Sequence, residues 1–443
     1  MQSRRDFLQS AAAVAVGFAG LQRHVFAVTD TNAAPAVGYG PLRRDPAGVF
    51  DLPDGFTYKI LSTKGDPMDD GLVVPGAPDG MAAFEGEPGK TVLIRNHELD
   101  PNALASSPFI GVRDRKPYLE KFYDRGWQMT PSIGGTTNLV VDNETLEVER
   151  EFLSLGGTVR NCAGGPTPWG SWITCEETNV GPSQMCEQWH GYNFEVPASA
   201  TGLVEPVPLR EMGRFQHEAV AVDPRSGIVY QTEDRGDGLI YRFIPNVPGE
   251  LAKGGTLQAM KARDRRTFDA RNWDPVPEIK PGESIPVEWI DLEDYVECHD
   301  DSLRHRGAAD GAIVFARGEG MWYGDGEIYF ACTNGGIEKK GQIWRYVPDT
   351  ETLELFVEPN DGEVVDNADN LTVAPWGDLI VCEDGPGEQF LRGVTPEGKF
   401  YTLARNRAPG NSEFAGVCFG PDGKTLFVNI QKNGLTLAVR GNW

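Results

Sequence analysis

The segment from Thr158 to Thr178 carries, near both of its ends, side chains of types that can bind metal ions. Cys162 lies near the start, Glu176 and Glu177 lie near the end, and a Pro-Thr-Pro-Trp-Gly turn lies between them. Proline and glycine favour a tight turn between two short apolar runs, and this pattern predicts a β-hairpin. Such a hairpin would bring the thiol and the carboxylates to the same end.

Five further segments repeat this pattern, each with acidic or amide residues after the second apolar run. The six predicted hairpins begin at Asp79, Asn161, His217, Gly318, Asp369 and Phe414. Repeats of about fifty residues, each with about four strands, are typical of β-propellers. The sequence therefore predicts an all-β fold, a six-bladed β-propeller with insertions on one face, at residues 100–133 and 252–301. A β-sandwich or two small β domains is the alternative.

In a propeller, each innermost strand starts on the face where the next strand ends, so both sets of residues should surround one channel. The strand starts carry Cys162, Glu218, Glu319, Asp369 and Asn370. The strand ends carry Glu98, Glu176, Glu177, Glu233, Asp234, Asn334, Glu383 and Asp384. Taken singly, each has an ordinary explanation, such as a core position for Cys162 or ion pairs of Glu218 with Arg214 and of Glu319 with Arg317. Their convergence is what indicates a site.

Crowded carboxylates are unfavourable, because like charges about 4 Å apart repel by roughly 4 kcal/mol at an effective dielectric constant of 20. Either several of these groups are protonated or cations bind among them. Oxygen ligands suit Ca²⁺, whereas a thiolate beside carboxylates suits a transition metal such as iron. Histidine is scarce at these positions, which argues against a histidine-rich zinc site.

The net charge of −24 argues against nucleic acid and anionic membranes as partners. The N-terminal motif Ser-Arg-Arg-Asp-Phe-Leu precedes a short apolar run, 11–21, and predicts a twin-arginine signal peptide over residues 1–27. We therefore expect one mature propeller domain, 28–443, which the twin-arginine machinery exports in folded form to the periplasm or the medium. We expect a monomer without stable membrane association.

The chain has seven cysteines, so at least one is unpaired. Four of them, Cys175, Cys332, Cys382 and Cys418, lie in apolar runs and are expected to be buried thiols. The sequence leaves open a disulfide that involves Cys186 or Cys298.

Several of these segments together resemble the PhoX-like alkaline phosphatases. They are the twin-arginine motif, Ile-Arg-Asn-His-Glu at 94–98, the segments 134–142, 161–178 and 213–223, and the segments 319–336 and 414–431. The similarity spans nearly the whole mature chain, which looks shorter than the best-known members. It implies a propeller that carries two Fe(III) ions and Ca²⁺ ions around a bridging oxo group.

The resemblance also implies roles for individual residues. Cys162, Glu218 and Glu319 correspond to iron ligands, and Arg317 to a residue that grips phosphate, although Gly318 replaces the usual proline. The remaining carboxylates and one amide would bind calcium or bridge ions: Glu98, Glu176, Glu177, Asp234, Asp369, Asn370 and Glu383. The implied reaction is hydrolysis of small-molecule phosphate esters with an alkaline pH optimum.

Two other functions are compatible with the residues. One is a calcium-dependent lactonase or esterase, which would not need the thiol of Cys162. The other is a periplasmic scaffold or binding propeller, which would need neither iron nor the ring of acids. The sequence has no Gly-x-Ser-x-Gly nucleophile elbow, no Walker loop and no dinucleotide fingerprint.

Overall fold

The computed structural model describes residues 37–127, 130–183, 185–296 and 299–443. The predicted signal peptide and Cys298 lie outside these residues. Within them, the chain forms β-strands with a few short helices. The strands are β1 (Leu42–Arg43), β2 (Phe50–Pro53), β3 (Thr57–Thr63), β4 (Pro78–Glu85), β5 (Lys90–His97), β6 (Gly134–Asp142), β7 (Val148–Thr158), β8 (Asn161–Pro166), β9 (Ser171–Glu176), β10 (Asn193–Pro197), β11 (His217–Val222), β12 (Val229–Glu233), β13 (Ile240–Pro245), β14 (Gly255–Ala262), β15 (Ser284–Asp291), β16 (Gly318–Tyr323), β17 (Ile328–Cys332), β18 (Gln342–Val347), β19 (Thr352–Val357), β20 (Ala368–Val373), β21 (Leu379–Glu383), β22 (Phe390–Val394), β23 (Phe400–Asn406), β24 (Phe414–Phe419), β25 (Thr425–Ile430) and β26 (Leu435–Arg440).

The described helices are short. The α-helices are Lys116–Leu119 and Leu303–Ala309, and the 3₁₀-helices are Leu104–Ser106, Arg210–Met212 and Leu251–Lys253. Among the described residues, no helix combines the length and the hydropathy that crossing a bilayer would need.

Six strands form the innermost ring of the molecule: β4, β8, β11, β16, β20 and β24. Each packs against the next one in this order, and β24 packs against β4, so the ring is closed. Each inner strand pairs antiparallel with the strand that follows it, as the six predicted hairpins require. The prediction of an all-β propeller is confirmed.

We call the six units built on these inner strands blades 1 to 6. They comprise β4–β7, β8–β10, β11–β14, β16–β19, β20–β23, and β24–β26 with β3. The hydrogen bonding forms five sheets rather than six, because β15 pairs with both β14 and β19 and joins blades 3 and 4. Part of the segment 252–301, which the sequence predicted to be an insertion, therefore supplies the two strands β14 and β15.

Apolar side chains fill the gaps between neighbouring blades, and these clusters form the core. Trp172 and Phe194 of blade 2 pack with Phe84 of blade 1, and Phe330 and Trp344 belong to the cluster between blades 3 and 4. Comparable clusters fill the other four gaps. Because each blade buries its faces against two neighbours, the inner strand of each is fixed relative to the next.

The turns of the hairpins follow the chemistry that the sequence predicted. In the two Pro-Trp-Gly turns, Gly170 has a φ of 81° and Gly377 a φ of 96°, values that favour glycine. These turns lie between β8 and β9 and between β20 and β21. At the other end of each hairpin, the start of its first strand therefore lies beside the end of its second strand.

Candidate metal centre

Every inner strand contains a bulge near its start. In blade 3, His217 pairs with Glu233 and Val220 pairs with Gln231, so three steps on β11 match two steps on β12. The other five hairpins have the same shift of one residue. Such a bulge re-aims the side chains around it and is frequent next to functional sites. The six strand starts are therefore equivalent in geometry as well as in sequence position.

A backbone hydrogen bond closes each hairpin at this end. In each of the six blades, the amide of the residue after the second strand donates to the carbonyl of the residue before the inner strand, at 2.9–3.3 Å. This bond defines three equivalent positions per blade. We call the residue before the inner strand the leading position, the second residue of the inner strand the bulge position, and the residue after the second strand the trailing position.

Together these positions form what we call the mouth. The leading positions hold Ala77, Arg160, Gln216, Arg317, Asn367 and Glu413. The bulge positions hold Asp79, Cys162, Glu218, Glu319, Asp369 and Ala415, and the trailing positions hold Glu98, Glu177, Asp234, Thr333, Asp384 and Gln431. Most of the carboxylates that the sequence singled out are therefore gathered around one ring.

Three groups of side chains at the mouth are close enough to hold a metal ion, and neighbouring groups share a member. They are Asp79 with Glu98 and Cys162, Cys162 with Glu177 and Glu218, and Glu218 with Glu319 and Asp369. Within each group, one potential ligand atom from every residue lies within 4.8 Å of the others. The sulfur of Cys162 belongs to two groups, whereas the third group offers oxygen alone.

The surroundings of Glu218 show whether these residues fit a cation. Its side chain is fully buried, and neither carboxylate oxygen has a hydrogen-bond partner among the described residues. A buried carboxylate without a partner is costly, whereas a bound cation would satisfy both oxygens. The donor set therefore fits metal ions, with Glu218 between two of the groups.

The electrostatics of the metal-free mouth agree with this reading. Burial first, and then the neighbouring carboxylates, raise the pKa of Glu218 and Glu319 well above the usual value. The same two causes raise the pKa of the Cys162 thiol well above its usual value and that of Asp369 to about 8. Without bound cations, these four side chains stay buried at the mouth only in their protonated, neutral forms.

Two arginines lie among the acids. The guanidinium of Arg317 donates from Nε and Nη2 to the two carboxylate oxygens of Asp234, at 2.7 Å each, and its Nη2 lies 3.1 Å from Glu319 Oε1. Arg160 pairs with Glu98, at 2.6 Å from Nη2 to Oε1, and with Glu177. Of the two, the sequence singled out only Arg317.

The structure brings together most of the site residues that the sequence predicted, namely Cys162, Glu218, Glu319, Asp369, Glu98, Glu177, Asp234 and Arg317. It does not bring Glu176 and Glu383 to the mouth. Both end their strands and point into the blades, because neighbouring side chains of a strand alternate in direction. Glu176 accepts hydrogen bonds from His190 and from three backbone amides, and Glu383 accepts from Arg392 at 2.8 Å.

Asn370 is also occupied by other contacts. Its Oδ1 accepts a hydrogen bond from the amide of Gly416 at 2.8 Å, which links blade 5 to blade 6. Asn370 is the residue after the bulge position. In other blades this place holds small residues, which let the inner strands approach closely. A Cβ atom on Gly416 would lie 2.2 Å from the carbonyl oxygen of Asp79.

Sequence reasoning missed several polar members of the mouth, among them Asp79, Arg160, Glu413 and Gln431. Asp79 and Glu98 are joined by Gln431, whose Nε2 donates to Asp79 at 2.7 Å and to Glu98 at 2.8 Å. Glu413 lies beside Asp384, and burial followed by that neighbour raises the pKa of Glu413 to about 11. Asp79 and Gln431 could have been found from the hairpin alignment itself, because each occupies a position there that is equivalent to those of the predicted residues.

A further group of potential ligands, Asp124, Cys186 and His190, lies outside the mouth. The two ring nitrogens of His190 already contact Glu176, at 2.6 Å, and Asp124, at 3.1 Å. The imidazole has no nitrogen left for a metal, so these contacts hold the segment after β9 in place. The six described cysteines are free thiols, as expected for Cys175, Cys332, Cys382 and Cys418.

Comparisons with known proteins add a family and a fold. The sequence profile described as alkaline phosphatase PhoX matches residues 37–434. The structure is similar to that of Pseudomonas fluorescens PhoX in complex with vanadate, a transition state analogue, with a TM-score of 0.65 and 19% identity over 89% of this chain and 96% of that chain. At this identity, the similarity supports the fold.

More distant structures are also similar. A gluconolactonase of Xanthomonas campestris has a TM-score of 0.39 and 12% identity, over 87% of this chain and 98% of that chain. The calcium-binding protein regucalcin of Agrobacterium tumefaciens has a TM-score of 0.41 and 12% identity, over 87% of this chain and 96% of that chain. No curated protein matches the chain.

Proposed function

Because the chain belongs to the alkaline phosphatase PhoX family, we propose that the mouth is the active site at which it hydrolyses phosphate esters with the help of metal ions. The observation that carries this assignment is Glu218, a buried carboxylate without a partner between two groups of potential ligands. Family membership favours this function over the lactonase and the scaffold.

The donor atoms suggest which ions the three groups bind. The two groups that contain the sulfur of Cys162 suit iron, and the group of Glu218, Glu319 and Asp369, which offers oxygen alone, suits calcium. When bound, these ions would supply positive charge and Lewis acidity toward the phosphoryl oxygens. Bound cations would place positive charge at the mouth, where a phosphate anion could then be held.

Arg317 is the residue proposed to bind the phosphoryl group. Asp234 fixes its guanidinium through Nε and Nη2, while Nη1 has no partner among the described residues. The side chain is 40% exposed. A guanidinium held in this way can donate to phosphoryl oxygens without first reorganising, which is how preorganised donors stabilise developing charge.

Elemental analysis together with a phosphatase assay tests this function. Protein exported by its own signal should contain iron and calcium and should hydrolyse p-nitrophenyl phosphate. Treatment with a chelator should remove activity, and adding both ions back should restore it. Metal-loaded protein that leaves p-nitrophenyl phosphate intact would overturn the proposal, as would full activity in protein without metal.

We also propose that the protein is exported folded by the twin-arginine machinery and acts as a monomer in the periplasm or outside the cell. The motif around Arg4 and Arg5 supports the route. Lysine at both positions should leave the protein in the cytoplasm, which fractionation with a periplasmic marker would detect. Normal export of that double variant would contradict the route.

A further inference from the structure

Arg160 and Arg317 occupy the same leading position in blades 2 and 4. Both have left-handed backbones, with φ values of 49° and 52°. Residues other than glycine are uncommon in this region, and such strain is concentrated at functional sites. The equivalent positions in blades 1 and 5, Ala77 and Asn367, share the conformation but carry no charge.

The two guanidinium groups are also held in the same way. In Arg160, Nη2 pairs with Glu98 and Glu177, and Nε donates to the carbonyl of Glu177 at 3.2 Å. In both arginines, carboxylates therefore fix the Nη2 atom, while Nη1 has no partner among the described residues. Both side chains are partly exposed, Arg160 at 34% and Arg317 at 40%. Each of these side chains at the mouth therefore keeps one nitrogen without a partner among the described residues.

A continuous chain of contacts links the two. Arg160 pairs with Glu177, the carboxylate of Glu177 lies beside that of Asp234, and Asp234 is paired with Arg317. Blade 3, which carries Glu218, lies between the blades of the two arginines. An anion bound above Glu218 would therefore have one guanidinium on each side.

From this arrangement, and given the proposed function, we propose that Arg160 is a second phosphate-binding residue that acts opposite Arg317. Phosphate offers several oxygens, and a guanidinium donates to them with a planar set of N–H groups. A phosphoryl group above Glu218 would receive donors from two sides. The competing explanation is that Arg160 only neutralises Glu98 and Glu177, and phosphate affinity would then depend on it only through bound metal.

Two variants of Arg160 and one control separate these explanations. Arg160→Gln removes the charge, and Arg160→Lys keeps the charge without the planar fork. Arg345→Gln is the matched control, because Arg345 also pairs with two carboxylates, Glu327 and Glu354, and is 31% exposed. Its partner Glu327 lies in the turn between β16 and β17, at the end of the blade away from the mouth.

The measurements are the inhibition constant of inorganic phosphate, calorimetric binding of phosphate to the metal-loaded protein, and metal content. We expect Arg160→Gln to weaken phosphate binding about 10- to 100-fold, as for loss of a charge-assisted hydrogen bond, with metal content unchanged. Arg160→Lys should give an intermediate loss, and Arg345→Gln should behave as wild type.

Unchanged phosphate affinity in Arg160→Gln at full metal content would overturn the proposal. So would a loss that disappears when metal is restored. If wild type hydrolyses no phosphate ester, the proposed function fails. The calorimetric comparison still decides the role of Arg160, because it measures binding of phosphate rather than turnover.

Discussion

The sulfur of Cys162 and a carboxylate oxygen of Glu218 lie within 4.8 Å of each other, although they belong to different blades. Both are the second residues of their inner strands, and the bulge that recurs in every blade aims both at the channel. Glu218 in turn approaches Glu319 of the next blade. Side chains of several blades thus form the site together, because the same bulge recurs in each inner strand.

The first prediction concerns Cys162. Replacing it with alanine removes a donor that two groups share, so iron content and phosphatase activity should fall together, with activity at least about 100-fold lower, because a thiolate is the soft ligand of the set. Elemental analysis and hydrolysis of p-nitrophenyl phosphate measure both. Cys418→Ala, at a buried thiol in the core of blade 6, should keep metal and activity. Full activity of Cys162→Ala would remove this residue from the site.

A second prediction follows from the isolated carboxylate of Glu218. Glu218→Gln should lower activity at least about 100-fold, yet raise the melting temperature of the metal-free protein at neutral pH, because the buried Glu218 carboxyl must take up a proton on folding whereas the amide need not. Thermal unfolding with and without chelator measures the effect. Glu338→Gln, at an exposed residue in the loop after Thr333, serves as the control and should change neither property. A less stable metal-free Glu218→Gln protein would show that the carboxylate is satisfied without a cation.

A third prediction separates the adjacent residues Glu176 and Glu177. Glu176 accepts hydrogen bonds from His190 Nδ1 at 2.6 Å and from the amides of Val159 and Gly191 at 2.8 Å each. Glu176→Gln should therefore lower the free energy of unfolding by about 2–4 kcal/mol while the folded protein keeps its metal.

The same experiment on Glu177→Gln should give the opposite result, with less metal and lower activity at little cost in stability. Chemical denaturation and elemental analysis of both variants distinguish the two roles. If Glu176→Gln lost metal while its stability stayed unchanged, the assignment of Glu176 to the blade interior would be wrong.

The fourth prediction concerns pH and the loop before β2. Partial burial opposes ionisation of Asp45, but hydrogen bonds from the Tyr58 hydroxyl and the amides of Val49, Phe50 and Ala47 outweigh it and lower the pKa of Asp45 to about 2. A carboxyl group with a lowered pKa stabilises the fold at pH values above its unfolded pKa. This stability is lost as the pH falls toward the folded value.

Asp45→Asn should therefore lower the free energy of unfolding by about 1–2 kcal/mol at pH 6, after allowance for solvent screening, and the difference from wild type should shrink between pH 4 and pH 2. Denaturation at several pH values on metal-free protein measures this. Asp54→Asn, which breaks only an exposed pair with Arg43, should have no measurable effect. A difference that does not depend on pH would rule out the electrostatic explanation.

The sequence predicted the hairpins well, because turn residues and apolar runs are local signals. All six predicted hairpins coincide with an inner strand and its partner. The sequence could not decide which of two adjacent acidic residues faces the channel. Glu176 with Glu177 and Glu383 with Asp384 are both strand-end pairs, and only the register decides which member faces the channel.

The other features that the sequence did not predict depend on contacts between segments that lie far apart in the chain. Gln431 of blade 6 binds Asp79 and Glu98 of blade 1, and no local pattern connects these residues. Arg160 follows a strand end and resembles an ordinary surface arginine until the structure places it beside Glu98. The pairing of β15 with β19 likewise depends on how two blades meet, not on the composition of either segment.

The pairing of β3 with β26 has a consequence for folding during synthesis of the chain. The blade that joins the two ends of the circle needs one strand from the first part of the chain and three from the last. While the nascent polypeptide is still being elongated on the ribosome, Gln431 and its neighbours do not yet exist, and the circle stays open. Closure of the circle, and with it the complete set of side chains at the mouth, thus depends on strands β24 to β26 having been synthesised.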